Sequence, residues 1–111
     1  MQYLVKGTFI DPGALLPAEQ LAKMIENVVF PSLEKLAKFE SERKVVAGGL
    51  LVGDRAAAFI VEAKDNLEVD SILHELPFWG LVKWEVAALQ PFKSRIATDK
   101  KLLDQMKVLV A

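Results

Sequence analysis

Gln2-Tyr-Leu-Val-Lys-Gly-Thr-Phe-Ile10 alternates with a period of two. Tyr3, Val5, Gly7 and Phe9 fall on one side, and Leu4, Lys6, Thr8 and Ile10 on the other. A strand sorts residues this way because successive Cβ atoms point to opposite faces. One face is wholly apolar or small. The other is mixed, which is not the uniformly polar surface expected of a strand with one side in water.

Asp11-Pro12-Gly13 ends this strand with turn chemistry. Pro17 then opens a long helix, with Glu19 in its first turn where the helix dipole favours an anion. Its stripe is Leu21, Met24, Ile25, Val28 and Val29, resumed by Leu33, Leu36 and Ala37. Pro31 has no N–H for the carbonyl of Asn27, so a kink or break is expected there. Val45 to Val52 reads as a second strand, whose Gly48-Gly49 pair predicts a bulge or a close backbone approach. Gly53-Asp54-Arg55 is a hairpin turn, and Ala56 to Ala63 the third strand. Asp65 or Asn66 caps a short helix with the stripe Leu67, Ile72, Leu73 and Leu76. Pro77 stops it, and Leu81 to Leu89 is the fourth strand. After Pro91 a tail helix is predicted over about residues 98–110.

The order is βαββαβ plus a tail helix. Right-handed crossovers turn it into a ferredoxin-like α+β fold, a four-stranded antiparallel sheet with both main helices on one face. The opposite face then has no cover. Counting by twos, it holds Leu4, Lys6, Thr8 and Ile10; Ala56, Ala58, Ile60 and Glu62; and Leu81, Lys83, Glu85, Ala87 and Leu89. Small and apolar residues dominate. Such a face packs against something, and the simplest cover is the same face of a second copy. An eight-stranded barrel made this way leaves room for one small ligand. The tail helix would extend that contact or recruit further subunits; alternatively it folds back over the open face of its own subunit.

Composition narrows the function. The 111 residues suit one domain spanning the whole chain, with 52% hydrophobic and 26% charged residues. The net charge of −1 and the lack of any long basic run argue against nucleic acid as a partner. The absence of cysteine removes disulfides, thiolate metal sites and cysteine nucleophiles. No apolar run reaches the roughly 18 residues of a membrane span, and the N-terminus lacks the layout of a signal peptide. A soluble, cytoplasmic protein is expected.

Several motifs are familiar in their order and spacing. "LVKGTF" at Leu4 to Phe9 resembles the opening strand of muconolactone isomerases, where a lysine sits in an alternating apolar strand. "VGDRAAAFIVEA" resembles their hairpin into the third strand. "ELPFWGLVKWEVAAL" resembles their helix stop followed by a strand ending in Glu-Val and a leucine. The resemblance covers most of residues 1–92. It implies the dimeric α+β barrel superfamily, oligomers built from barrel dimers, and proton transfer in a small lactone of aromatic catabolism without cofactor or metal.

Shifting a proton beside a carbonyl takes a base near the carbon and a donor for the developing enolate. Lys6 is the first candidate, since parity points it into the uncovered face and the resemblance carries it over directly. Glu85 is the second, because strands one and four should be neighbours. The substrate contacts expected around them are Tyr3, Thr8, Glu26, Phe78, Trp79 and Lys83. The only histidine, His74, falls in the last turn of a helix, where free carbonyls and the dipole favour a cationic ring at the surface. It has no histidine partner with which to bind a metal. Alternatives to an isomerase-like enzyme are a non-catalytic binding or assembly module and a cofactor-free oxygenase of quinol-type substrates.

Overall fold

The computed structural model describes residues 1–10 and 16–110. The turn read at Asp11-Pro12-Gly13 lies outside them. Strands β1 (Gln2–Phe9), β2 (Val45–Leu50), β3 (Ala56–Glu62) and β4 (Val82–Leu89) form one antiparallel sheet in the order β2-β3-β1-β4. Helices α1 (Ala18–Met24), α2 (Phe30–Ser41), α3 (Asn66–His74) and α4 (Phe92–Val110) complete the chain. The expected ferredoxin-like α+β order is present, with β1 central.

Register fixes the two faces. Lys6 pairs with Ala58 on one side and Glu85 on the other, and Leu4 with Ile60 and Ala87. Tyr3 and Val5 point the other way and are buried, with Val61, Phe59 and Val82, under Val69, Ile72, Leu73 and Leu76 of the α3 region. Burying each large aliphatic side chain is worth about 1.5–3 kcal/mol. Gly7 lies on this covered face because nothing larger fits. A Cβ there would stand 2.6 Å from Trp84 Cζ3 and 2.8 Å from Val82 Cγ1.

The helix does not break at Pro31. Residues Ile25–Val29 form a π turn, in which the Phe30 N–H donates to the Ile25 carbonyl five residues back. The wider turn moves carbonyls clear of the proline ring, so α1 runs into α2 without a break. Just beyond, Ser32 is fully buried. Its hydroxyl donates to the Val28 carbonyl at 2.7 Å and accepts from the Phe78 N–H at 3.0 Å, tying the π turn to the connection between α3 and β4.

Four details settle alternatives or depart from the expectations. The β2 bulge falls between Val45 and Ala47, not at the glycine pair; Gly48 supplies the close approach instead, with a φ of 154° and a Cβ position 2.3 Å from Phe59 Cβ. Leu67 is exposed, and Val69 takes its place in the core. Val69 is three, four and seven residues from Ile72, Leu73 and Leu76, whereas Leu67 is out of phase with them. α3 begins after Asp65, whose side chain accepts from the Glu68 N–H at 2.9 Å, so Asp65 and not Asn66 is the cap. α4 starts at Phe92, six residues before the expected start, because Pro91 is tolerated at a helix N-terminus and its carbonyl takes the Arg95 N–H.

Replacing Ser32 with alanine strands the buried Phe78 N–H. Ser32→Ala should lower unfolding free energy by about 1–3 kcal/mol in urea titration. An unchanged midpoint would show that this bridge contributes nothing.

Candidate functional site

A cleft of about 310 Å3 opens between the sheet and the first helix. Its floor is built from small residues, Gly7 and Ala57, with Trp84 laid across Gly7. Its roof is the α1 and π-turn stripe of Leu21, Met24, Ile25 and Val29. The π turn widens the helix here, and small floor residues leave unfilled the space that larger side chains would occupy.

Aromatic rings make the inner wall. Phe9 and Phe78 meet edge to face at 5.5 Å, and Phe78 lies 6.1 Å from Trp84. The Trp84 indole N–H donates to the Trp79 carbonyl at 3.2 Å, which holds the ring in place. Among the described residues, the only ionisable groups lining the cleft are Asp54 and Arg55. They sit on the β2–β3 hairpin, where Gly53 takes a φ of 80° that a glycine adopts without strain. The Phe9 N–H donates to the Arg55 carbonyl at 3.0 Å and fastens that hairpin to the end of β1. Asp54 Oδ1 accepts the Arg55 backbone N–H at 2.7 Å, and among the described residues the Arg55 guanidinium has no carboxylate within ion-pair distance. An apolar, aromatic-walled volume with one free guanidinium and one carboxylate suits a small ring compound bearing an anionic or carbonyl group.

The residues singled out from the sequence divide between the two sides of the sheet. Lys6, Glu85, Thr8 and Lys83 gather on the open face, Lys6 opposite Glu85 and Thr8 opposite Lys83 in register. No ion pair closes between Lys6 and Glu85 among the described residues. Tyr3 lies on the opposite side, only 2% exposed, with its hydroxyl 3.4 Å from Met1 Sδ, so it is a core residue and not a neighbour of Lys6. Parity along β1 dictates this. Phe78 is buried and forms part of the cleft wall, not its rim. Trp79 turns outward and stacks on His74 at 4.0 Å, away from the cleft. Glu26 sits on the π turn but is exposed and outside the cleft lining. His74 is a surface residue at the end of α3, with Nδ1 2.8 Å from the Asp70 carbonyl.

In the sequence Asp54 and Arg55 stand out only as turn residues. The signal for a cleft was present in Gly7, a glycine amid apolar residues on the covered face, which marks a close approach by a large side chain.

The architecture defines a class: a ferredoxin-like α+β sheet with one covered and one bare face, the fold seen in muconolactone isomerase. Two solved structures are similar to it in particular. Muconolactone isomerase has a TM-score of 0.67 at 19% identity, over 82% of this chain and 90% of that one. The 5-chloro-2-hydroxyhydroquinone dehydrochlorinase TftG from Burkholderia phenoliruptrix AC1100, in complex with 2,5-dihydroxybenzoquinone, has a TM-score of 0.60 at 22% identity, over 85% of this chain and 98% of that one. No family model matches the sequence, and no curated protein matches it. Among the described residues no helix is long and apolar enough to cross a membrane.

Met24 reaches into the cleft from above, so enlarging it should fill the space. Met24→Trp is expected to weaken binding of a single-ring carboxylate such as benzoate by about tenfold or more in calorimetric titration. Undiminished affinity would place the ligand elsewhere.

Proposed function

We propose that this chain, as one domain acting in the cytoplasm, is a cofactor-free small-molecule enzyme of the isomerase-like kind. Its substrate is a single-ring lactone or similar anionic carbonyl compound, held in the cleft between sheet and helix. The observation that carries the reading is the pairing of an apolar, ring-sized volume with a guanidinium at one side that has no carboxylate partner among the described residues. In this reading the substrate's ring lies among Phe9, Phe78 and Trp84. Arg55 binds its carboxylate or the enolate oxygen through charge-assisted hydrogen bonds. Asp54, the one carboxylate on the lining among the described residues, takes a proton from the carbon γ to the carbonyl of an unsaturated lactone and returns it to the α carbon, so that the double bond moves by one position through a dienolate. A lactone isomerase and a hydroxyhydroquinone dehydrochlorinase share this fold, and both names describe work on small molecules of that size, which supports the substrate class.

A second placement of the chemistry is favoured by the register on the open face. Lys6 lies directly across from Glu85, beside Ala58, with Thr8 and Lys83 one pair further along. If two copies press these faces together, the enclosed chamber holds an amine and a carboxylate as an acid–base pair.

Turnover of muconolactone and related lactones separates the two. With the chemistry in the cleft, Arg55→Ala should lower kcat/KM by about 10- to 100-fold. Asp54→Asn should lower kcat by about 100-fold or more. Lys6→Ala and Glu85→Gln should then have little effect. The reverse pattern moves catalysis to the open face, and no turnover of any lactone by the wild-type protein removes the isomerase reading.

A further inference from the structure

α4 is 19 residues long and none of them is buried. The molecule measures 70 × 30 × 23 Å with a radius of gyration of 19.0 Å. A compact chain of this length would have a radius near about 13 Å. The helix therefore stands off the body. Yet it is not a polar helix. Phe92, Ile96, Asp99, Leu103, Met106 and Val110 follow one another at alternating steps of four and three, the spacing of a packing seam. The one polar member, Asp99, is paired within the helix by Arg95 at 3.0 Å.

The body has a matching deficit. Along the covered side of β4, Val82 is buried and Trp84 half-buried, but Val86 is 46% exposed and Ala88 is exposed as well. Their register partners on β1, Val5 and Tyr3, are buried. The helix layer thus stops short of the outer edge of the sheet and leaves an apolar ledge on the edge strand.

Charge says what covers it. α4 carries five basic and two acidic residues, a net +3, whereas residues 1–91 carry nine basic and thirteen acidic, a net −4. The acidity is concentrated over residues 62–75, which hold α3, with five carboxylates against Lys64 alone. Two α4 helices would repel each other, while α4 and the α3 region attract. The helix is about 28 Å long. Two reciprocal strips of that length and about 10 Å width would bury on the order of 1,000 Å2, close to the lower bound for a specific dimer.

We propose that α4 is a clasp exchanged between two copies of the chain, each α4 lying on the Val86–Ala88 ledge of the other beside its acidic α3. The exchange stands apart from the ligand site, since neither ledge nor seam lines the cleft. The chain has no cysteine, so engineered thiols report it cleanly. In the full chain, Val86→Cys with Met106→Cys should give disulfide-linked dimers on mild oxidation. A disulfide within one chain, at the monomer mass, would overturn the exchange. So would Met106→Cys alone dimerising as readily as the double variant, which would put α4 on α4. By light scattering the unaltered protein should be a dimer or larger, and Leu103→Glu or raised salt should shift it toward monomer by about tenfold in association constant. A wild-type monomer at high micromolar concentration, or association indifferent to Leu103→Glu, contradicts the proposal. Leu103 is exposed and outside the core, so its replacement leaves the fold intact for this comparison.

Discussion

The hydroxyl of Ser32 is the tie on which the covered side of this molecule depends. It joins the π turn of the first helix to the connection carrying Phe78, in a place where no water can substitute. Pro31 next to it rules out regular α-helical bonding, and the chain answers with a wider turn. The roof of the cleft is therefore held at a set height above the sheet. Beneath it, Gly7 and Ala57 supply no bulk, and Trp84 takes up only part of the space. A cavity survives because helix and sheet are fixed by the serine and the aromatic wall, while the floor between them is small.

The two faces of the sheet do different work. The covered face holds the core and, at one end, the cleft with Asp54 and Arg55. The bare face carries Lys6 and Glu85 amid small and apolar residues such as Leu4, Ala58 and Ala87. The helix layer ends before the outer edge of β4, and a cationic helix stands off the body, the two features that the proposed exchange joins.

Much of the fold was legible because periodicity reports directly on which side of an element is buried. The alternation of Gln2 to Ile10 fixed the central strand, and the punctuation by Pro17, Gly53, Pro77 and Pro91 fixed the order of elements. What escaped were features decided by phase or by tertiary fit. Leu67 looked like part of the α3 stripe until the helix phase put Val69 inside. Pro31 signalled trouble, but a sequence does not distinguish a kink from a π turn, since both answer the same missing N–H. Lys6 and Glu85 were correctly placed as neighbours. Asp54 and Arg55 were invisible as a site because a hairpin turn has the same letters whether or not it borders a cavity. Tyr3, expected as a substrate contact beside Lys6, lies on the opposite side because parity along the same strand separates them.

The claim that the cleft beneath the π turn receives the ligand can be tested through the three methionines of the chain. Met24 lines the cleft, whereas Met1 and Met106 lie at the N-terminus and on α4. With methyl-labelled methionine, leucine and isoleucine, titrating a single-ring carboxylate or lactone should move the Met24 resonance in a saturable way and leave those of Met1 and Met106 in place. A still Met24 signal, with shifts instead at Leu4 and Ile60 methyls on the bare face, would contradict the account.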